Sequence, residues 1–121
     1  MAKRTPKSVK ASCDKIFSKI IRSKGACERC GGVDNLQCAH IYSRKFGSVR
    51  FDEDNALCLC AKCHRWGHDH PLEFADFAHE IKETEPMKVQ KLKWRKEQIV
   101  KRKMADWLEL EEELKQKLNE T

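Results

Sequence analysis

Two Cys-x2-Cys pairs, Cys27-Glu28-Arg29-Cys30 and Cys60-Ala61-Lys62-Cys63, are the residues whose type and spacing most directly imply chemistry. Tetrahedral zinc takes four thiolates offered as two chelating turns. Gly31-Gly32, behind the first pair, permits the tight backbone that aims both sulfurs at one ion. A structural Zn2+ on Cys27, Cys30, Cys60 and Cys63 is therefore expected. The competing reading, a redox dithiol, requires a βαβ context and calls for no second pair. Cys13, Cys38 and Cys58 are left as small buried hydrophobes, the usual fate of a free cysteine.

His64 and His68 stand four apart, so on a helix they project from one face, one turn apart, and two imidazoles so placed can chelate one metal. They follow a zinc-ligand cysteine, which would hold the first turn of that helix rigidly. His40 lies in the apolar run Leu36 to Ile41, where a lone histidine is ordinarily a core residue. His70 is a spare candidate whose spacing from His64 is wrong for the same helical face, and His79 reads as structural or exposed.

Elements must position these groups. Val9, Ser12/Cys13, Ile16/Phe17 and Ile20/Ile21 repeat at helical spacing between lysines and predict a basic amphipathic helix over 8–24, with Gly25 at its end. Residues 26–71 change character. Cysteines, histidines, Gly31-Gly32 and Asp34-Asn35 punctuate short apolar runs, predicting a knuckle, a strand over Leu36 to Ile41, a crossing loop, a returning strand over Asn55 to Leu59, and a helix from Cys63 to His68. Over 72–121 the spacing of Phe74, Phe77, Ala78 and Ile81 predicts a helix that Pro86 breaks. A second run holds Met87, Leu92, Ile99 and Val100, and the helical remainder carries a stripe of Met104, Trp107, Leu108, Leu110, Leu114 and Leu118. Trp66, Trp94 and Trp107 are expected in the core. The fold class is α+β and mostly helical, in one domain spanning 1–121.

The ordered elements Cys27-x2-Cys30-Gly31-Gly32, Leu36-Gln37-Cys38-Ala39-His40-Ile41, Arg50-Phe51-Asp52, Asp54-Asn55-Ala56-Leu57, Leu59-Cys60-x2-Cys63-His64 and Trp66-x-His68-Asp69 resemble the HNH endonucleases. The likeness is to small zinc-knuckle members from phages and prophages, and it covers residues 26–71. It implies a ββα-metal core, a hairpin crossing a helix around one catalytic metal, flanked here by an N-terminal helix and C-terminal helices. Carried over by residue, it makes His40 the general base, gives the divalent ion (Mg2+ or Mn2+) to His64 and His68, and makes Asn55 the brace of the loop and of the His40 ring. The implied reaction is hydrolysis of DNA phosphodiester bonds to 5′-phosphate and 3′-hydroxyl ends. One departure stands out: many members carry an Asp or His before the base, and this chain has Ala39. Either water fills that coordination position or His40 itself turns toward the metal. Arg44, Lys45 and Arg50, in the crossing loop, and Arg65 are then expected to clamp phosphate.

Composition fits a polyanionic partner. The chain has 121 residues, a formal charge of +6 and a pI near 9.0, which favours DNA through phosphate contacts and counterion release. Lys3 to Lys24 and Lys88 to Lys103 are strongly basic, whereas Asp106 to Glu120 is acidic. With 40% hydrophobic against 36% charged residues, the apolar core is modest and invites a metal staple. The charged N-terminus carries no signal-peptide pattern and no stretch approaches a membrane span, so a cytoplasmic protein is expected, a monomer or weak dimer. By the resemblance its cell is a bacterial host and its partners include phage packaging or recombination proteins. The rival reading is a non-catalytic zinc module that binds nucleic acid, which explains the charge and the cysteines but not the order of His40, Asn55, His64 and His68.

Overall fold

A computed structural model describes residues 3–121. Met1 and Ala2, where the signal-peptide reading begins, lie outside the described residues. The fold is mostly helical α+β: five helices, one two-stranded antiparallel hairpin and a four-cysteine cluster that could hold zinc. Among the described residues no helix is long and apolar enough to cross a membrane.

Helix α1, Pro6–Arg22, begins ahead of the expected 8–24 because the cap lies upstream of the apolar stripe. Thr5 Oγ1 accepts from the Ser8 amide and Ser8 Oγ accepts from the Thr5 amide, while Pro6 occupies the first turn, where its missing N–H costs nothing. Val9, Cys13, Ile16, Phe17, Ile20 and Ile21 form its buried face. Gly25, at φ +80°, turns the chain away.

Strands β1, Leu36–His40, and β2, Ala56–Cys60, pair antiparallel, with Leu36 opposite Cys60 and His40 opposite Ala56. A short 3-10 turn, Glu53–Asn55, leads into β2. A two-stranded hairpin is marginal in water, and here both faces are covered. Ala56 and Cys58 join the α1 side chains and Trp107, whereas Leu57 and Leu59 join Cys27, Cys63 and Ala78. This double coverage is why Ala56-Leu57-Cys58-Leu59 reads as an unbroken apolar run.

Helix α2, Ala61–Asp69, follows β2 without a linker, and α3, Pro71–Lys82, folds back on it. The return depends on Gly67, because a Cβ there would lie 2.8 Å from the Phe74 ring. Helix α4, Lys88–Lys96, is followed by an irregular segment and by α5, Met104–Asn119. Arg4 meets Glu111 while Cys13 meets Trp107, so α5 runs antiparallel along α1.

Three expectations are corrected. Helix α3 ends at Lys82, where Glu83 already leaves the helical backbone (φ −79°, ψ 60°), so Pro86 is not what breaks it. Ile99 and Val100 lie outside any helix: the chain breaks after Lys96 so that Arg102 can donate to the Gly47 carbonyl (3.2 Å) and lie over Phe51 and Trp107. Trp94, expected in the core, is 64% exposed.

Glu111 is the ionic lock of the α1–α5 pair. Its side chain is only 5% exposed and receives two bonds from the Arg4 guanidinium, at 3.0 and 2.6 Å. Those bonds, with help from the Ser12 hydroxyl, hold its pKa at about 2 instead of 4.5. A depressed carboxyl pKa stabilises the fold above pH 4.5, and this contribution is lost as pH falls from 4.5 toward 2. Glu111→Gln is expected to lower the melting temperature by several degrees at neutral pH and to flatten its decline through that acid window, as read by circular dichroism. Equal acid limbs for the two proteins would contradict the lock.

Candidate metal centre and histidine cleft

The four cysteines predicted as ligands converge. Cys27, Cys30, Cys60 and Cys63 offer sulfurs that all lie within 4.8 Å of one another, with Cys30 Sγ 3.7 Å from Cys60 Sγ. Zinc–thiolate bonds of about 2.3 Å in a tetrahedron put neighbouring sulfurs roughly 3.8 Å apart, so the donor set fits that ion.

Each knuckle is closed by backbone. The Cys27 amide donates to Gly32 O (2.7 Å), the Gly31 amide to Cys27 O (2.9 Å) and the Gly32 amide to Cys30 Sγ (3.4 Å), with Gly31 at φ +77°. Cys60 ends β2, caps α2 and accepts from the Cys63 amide at 3.5 Å. Burial alone pushes the Cys27 thiol up, but N–H donors at Cys30, Cys60 and Arg29 outweigh it and bring the pKa down to about 6. Cys60 is lowered chiefly by the Cys63 N–H. Cys63, by contrast, is pushed by burial up to about 12, so a cation sharing the site would favour its thiolate. Arg29 lies 3.6 Å over the Trp66 ring and donates to Cys63 Sγ at 3.5 Å, roofing the cluster. Cys13 and Cys58 are buried and Cys38 half-buried, and burial raises the pKa of all three, that of Cys13 to about 11 and that of Cys38 to about 12. They are inert thiols.

His40, His64 and His68 line one cleft of about 760 Å³ between β1, α2 and α3. Strand alternation puts His40 with Leu36 and Cys38 on the α1 side, 5.7 Å from the Phe17 ring, while α2 covers the opposite face. The cleft wraps the end of the strand and both sides reach it. His40 Nε2 lies 2.9 Å from Arg50 O. A carbonyl only accepts, so Nε2 carries the proton and Nδ1 keeps its lone pair. Burial, reinforced by the Arg44 and Arg50 charges, lowers the His40 pKa below 6.5. His64 Nδ1 donates to Gln37 Oε1 at 2.7 Å, leaving Nε2 free, and burial, then His68 and His40, lower its pKa. The His64 and His68 rings lie 4.9 Å apart. Among the described residues the four cysteines form the one group of three or more ligating side chains whose donor atoms cluster; the three imidazoles do not close around a point.

Asn55 is fully buried with every amide atom engaged. Oδ1 accepts from the Tyr42 amide (2.7 Å), and Nδ2 donates to Tyr42 O and Val49 O (both 3.0 Å). It pins both ends of the loop between the strands, and His40 is oriented by the loop's Arg50 carbonyl rather than by Asn55 directly.

The basic residues separate. Arg44 and Lys45 are exposed, and Arg44 lines the cleft. Arg65 is exposed and does not line the cleft. Arg50, expected to clamp phosphate, is instead a structural tie: it holds Asp14 of α1 through two bonds, at 2.9 and 2.6 Å, and donates to Arg44 O at 2.9 Å. His79 is exposed on the cleft wall, and His70 joins α2 to α3. Sequence reasoning missed Gln37 and Asp14, whose partners are distant in the chain and leave no local signal.

Two outcomes follow. Purified protein is expected to carry one zinc per chain, and a strong chelator to lower its melting temperature by roughly 10 °C or more. Cys60→Ser should do the same although serine is a good N-cap; indifference to both would exclude a structural metal. Asn55→Ala leaves the Tyr42 amide and carbonyl unpaired and takes one of two partners from the Val49 carbonyl, and it is expected to cost on the order of 3 kcal/mol in a denaturant titration. No protein-family model, curated protein or solved structure matches this chain.

Proposed function

We propose that this chain is a metal-dependent DNA endonuclease with an HNH-type ββα-metal core formed by β1, β2 and α2. The observation that carries the reading is the pairing, in one cleft, of an imidazole with a free Nδ1 lone pair, His40, and an imidazole with a free Nε2 lone pair, His64, beside His68.

His40 Nδ1 takes a proton from a water molecule whose oxygen then attacks phosphorus. The bond from phosphorus to the 3′ oxygen breaks, leaving a 5′-phosphate and, after protonation, a 3′-hydroxyl. Because its Nε2–H is fixed on Arg50 O and its pKa is lowered, His40 is neutral and ready to accept at pH 7. His64 and His68 would hold a divalent ion, which supplies charge stabilisation for the phosphate and the departing oxygen. Nitrogen donors favour a transition ion such as Mn2+ over Mg2+. Ala39 offers no ligand, so His64 and His68 would be the side chains that hold the ion, and the free Nδ1 of His40 is read as the base. Arg44 and Lys45 steer the phosphate to the cleft. The four-cysteine cluster also serves the rival, a zinc-containing nucleic-acid-binding module without catalysis.

Supercoiled plasmid incubated with zinc-loaded protein and added Mn2+ or Mg2+ is expected to be relaxed or linearised. The rate should fall roughly a hundred-fold or more in His40→Ala, and the acid limb of the rate profile should lie below pH 6.5, since a depressed histidine pKa keeps the base unprotonated down to that lower value. An intact plasmid across several divalent ions, together with a clean gel shift, selects the binding module. Undiminished cleavage by His40→Ala removes His40 as base.

A further inference from the structure

Helix α4 has two unlike sides. Its inner side is accounted for: Leu92 is buried, Val89 and Leu92 line the cleft, Arg95 holds Asp52 (2.8 Å) and Asp54 (3.0 Å), and Lys88 reaches Asp54 at 3.5 Å. On the outer side stands Trp94, 64% exposed, in a molecule that buries Trp107 to 9%. Lys91 and Lys93 beside it are exposed, and neither has an ion-pair or hydrogen-bond partner among the described residues. Glu97 is the one acid between Lys88 and Lys103.

The opposite side of α4 meets the mouth of the cleft. Ser48 Oγ donates to Lys96 O at 3.1 Å, and Lys96 Nζ lies 4.9 Å from the Phe46 ring and 5.2 Å from the Tyr42 ring. The end of α4 therefore packs on the loop that carries Arg44 and Lys45. Two residues apart on a helix, Lys96 and Trp94 project from nearly opposite sides, so the indole and its two unpaired lysines face away from that contact.

An exposed aromatic among unpaired cations matches the two halves of a single-stranded nucleic acid: phosphates for the lysines, the π-face of a base for the ring. A duplex keeps its bases stacked and offers an exposed indole only phosphate and sugar. A membrane surface would demand a broad apolar face, whereas α4 has nine residues, five of them Lys or Arg. We infer that Trp94, flanked by Lys91 and Lys93, is a stacking platform for an unpaired base, so that the outer side of α4 grips single-stranded DNA. The grip does not rest on the nuclease reading.

The test is fluorescence anisotropy with zinc-loaded full chain and no added divalent ion. The probes are a labelled thymidine oligonucleotide, the same strand with abasic sugars, and a duplex of equal length. Trp94→Ala is expected to weaken binding of the thymidine strand about ten-fold and to leave the abasic strand and the duplex unchanged, while Trp94→Phe restores most of the loss. Lys91→Gln with Lys93→Gln should weaken all three and lower the salt dependence. Equal affinity of wild type and Trp94→Ala for the thymidine strand overturns the inference, as does binding of Trp94 to anionic vesicles in place of DNA. Trp94-dependent binding with an intact plasmid leaves the grip standing without catalysis. Cleavage with Trp94-independent binding removes the grip alone.

Discussion

The structure depends on tying three chain segments that have little else to hold them to one point. The Cys27–Cys30 turn, the end of β2 and the first turn of α2 meet at the four sulfurs. Cys60 is the hinge of that arrangement, at once the last residue of β2, the N-cap of α2 and a thiolate of the cluster. With no linker between strand and helix, fixing Cys60 fixes the direction in which α2 leaves the sheet. His64, paired with Gln37 across the hairpin, inherits its place from that geometry. A modest apolar core could not impose the same precision on a short strand and a nine-residue helix.

The second constraint is the hairpin's need for cover on both sides. On one side the α1–α5 pair buries Ala56 and Cys58; on the other α2 and α3 bury Leu57 and Leu59. The two layers lie on opposite faces of β1 and β2, and the loop joining the strands buries little beyond Val49 and part of Phe51. Buried polar groups hold it. Asn55 closes the loop on itself, Arg50 ties it to Asp14 of α1, and the carbonyl of that same Arg50 sets the His40 tautomer. Side-chain networks of this kind are stabilising only when every member is satisfied, and no buried side-chain polar atom lacks a partner among the described residues.

What was legible in the sequence is what local spacing encodes. The cysteine pairs pointed to one cluster, the i, i+4 histidines to one helix face, and the stripe from Val9 to Ile21 to a buried helix. The returning strand was expected over Asn55 to Leu59, but its burial on both faces came from the structure. What escaped depends on partners far away in the chain. Trp94 is a core type by residue, yet its neighbours at helical spacing are Gln90, Lys91, Glu97 and Gln98; the side of α4 facing the cleft is taken by Val89 and Leu92, and the indole is left outside. The break after Lys96 has no proline or glycine to announce it. It exists because Arg102 finds Gly47, Phe51 and Trp107, and because α5 must reverse to lie along α1.

The same distinction divides the cations. Arg4, Arg29, Arg50, Arg95 and Arg102 each have an internal partner: a carboxylate, a thiol, a carbonyl or an aromatic face. The guanidinium fork suits such multi-point fixing and is less strongly hydrated than an ammonium, so arginine is the cheaper residue to desolvate. Lysines are more often left to water, although Lys82 is buried on Glu53 O and Lys88 reaches Asp54. The formal charge of +6 sets how strongly the molecule attracts a polyanion at long range, and the cations without internal partners are the ones open to contact it. Among the arginines these are Arg44, at the cleft, and Arg65, outside its lining; Lys91 and Lys93, beside the exposed indole, lie on a separate side. The charge that sequence composition counts as one basic surface is, once folded, an internal scaffold of arginines and separate patches of free cations.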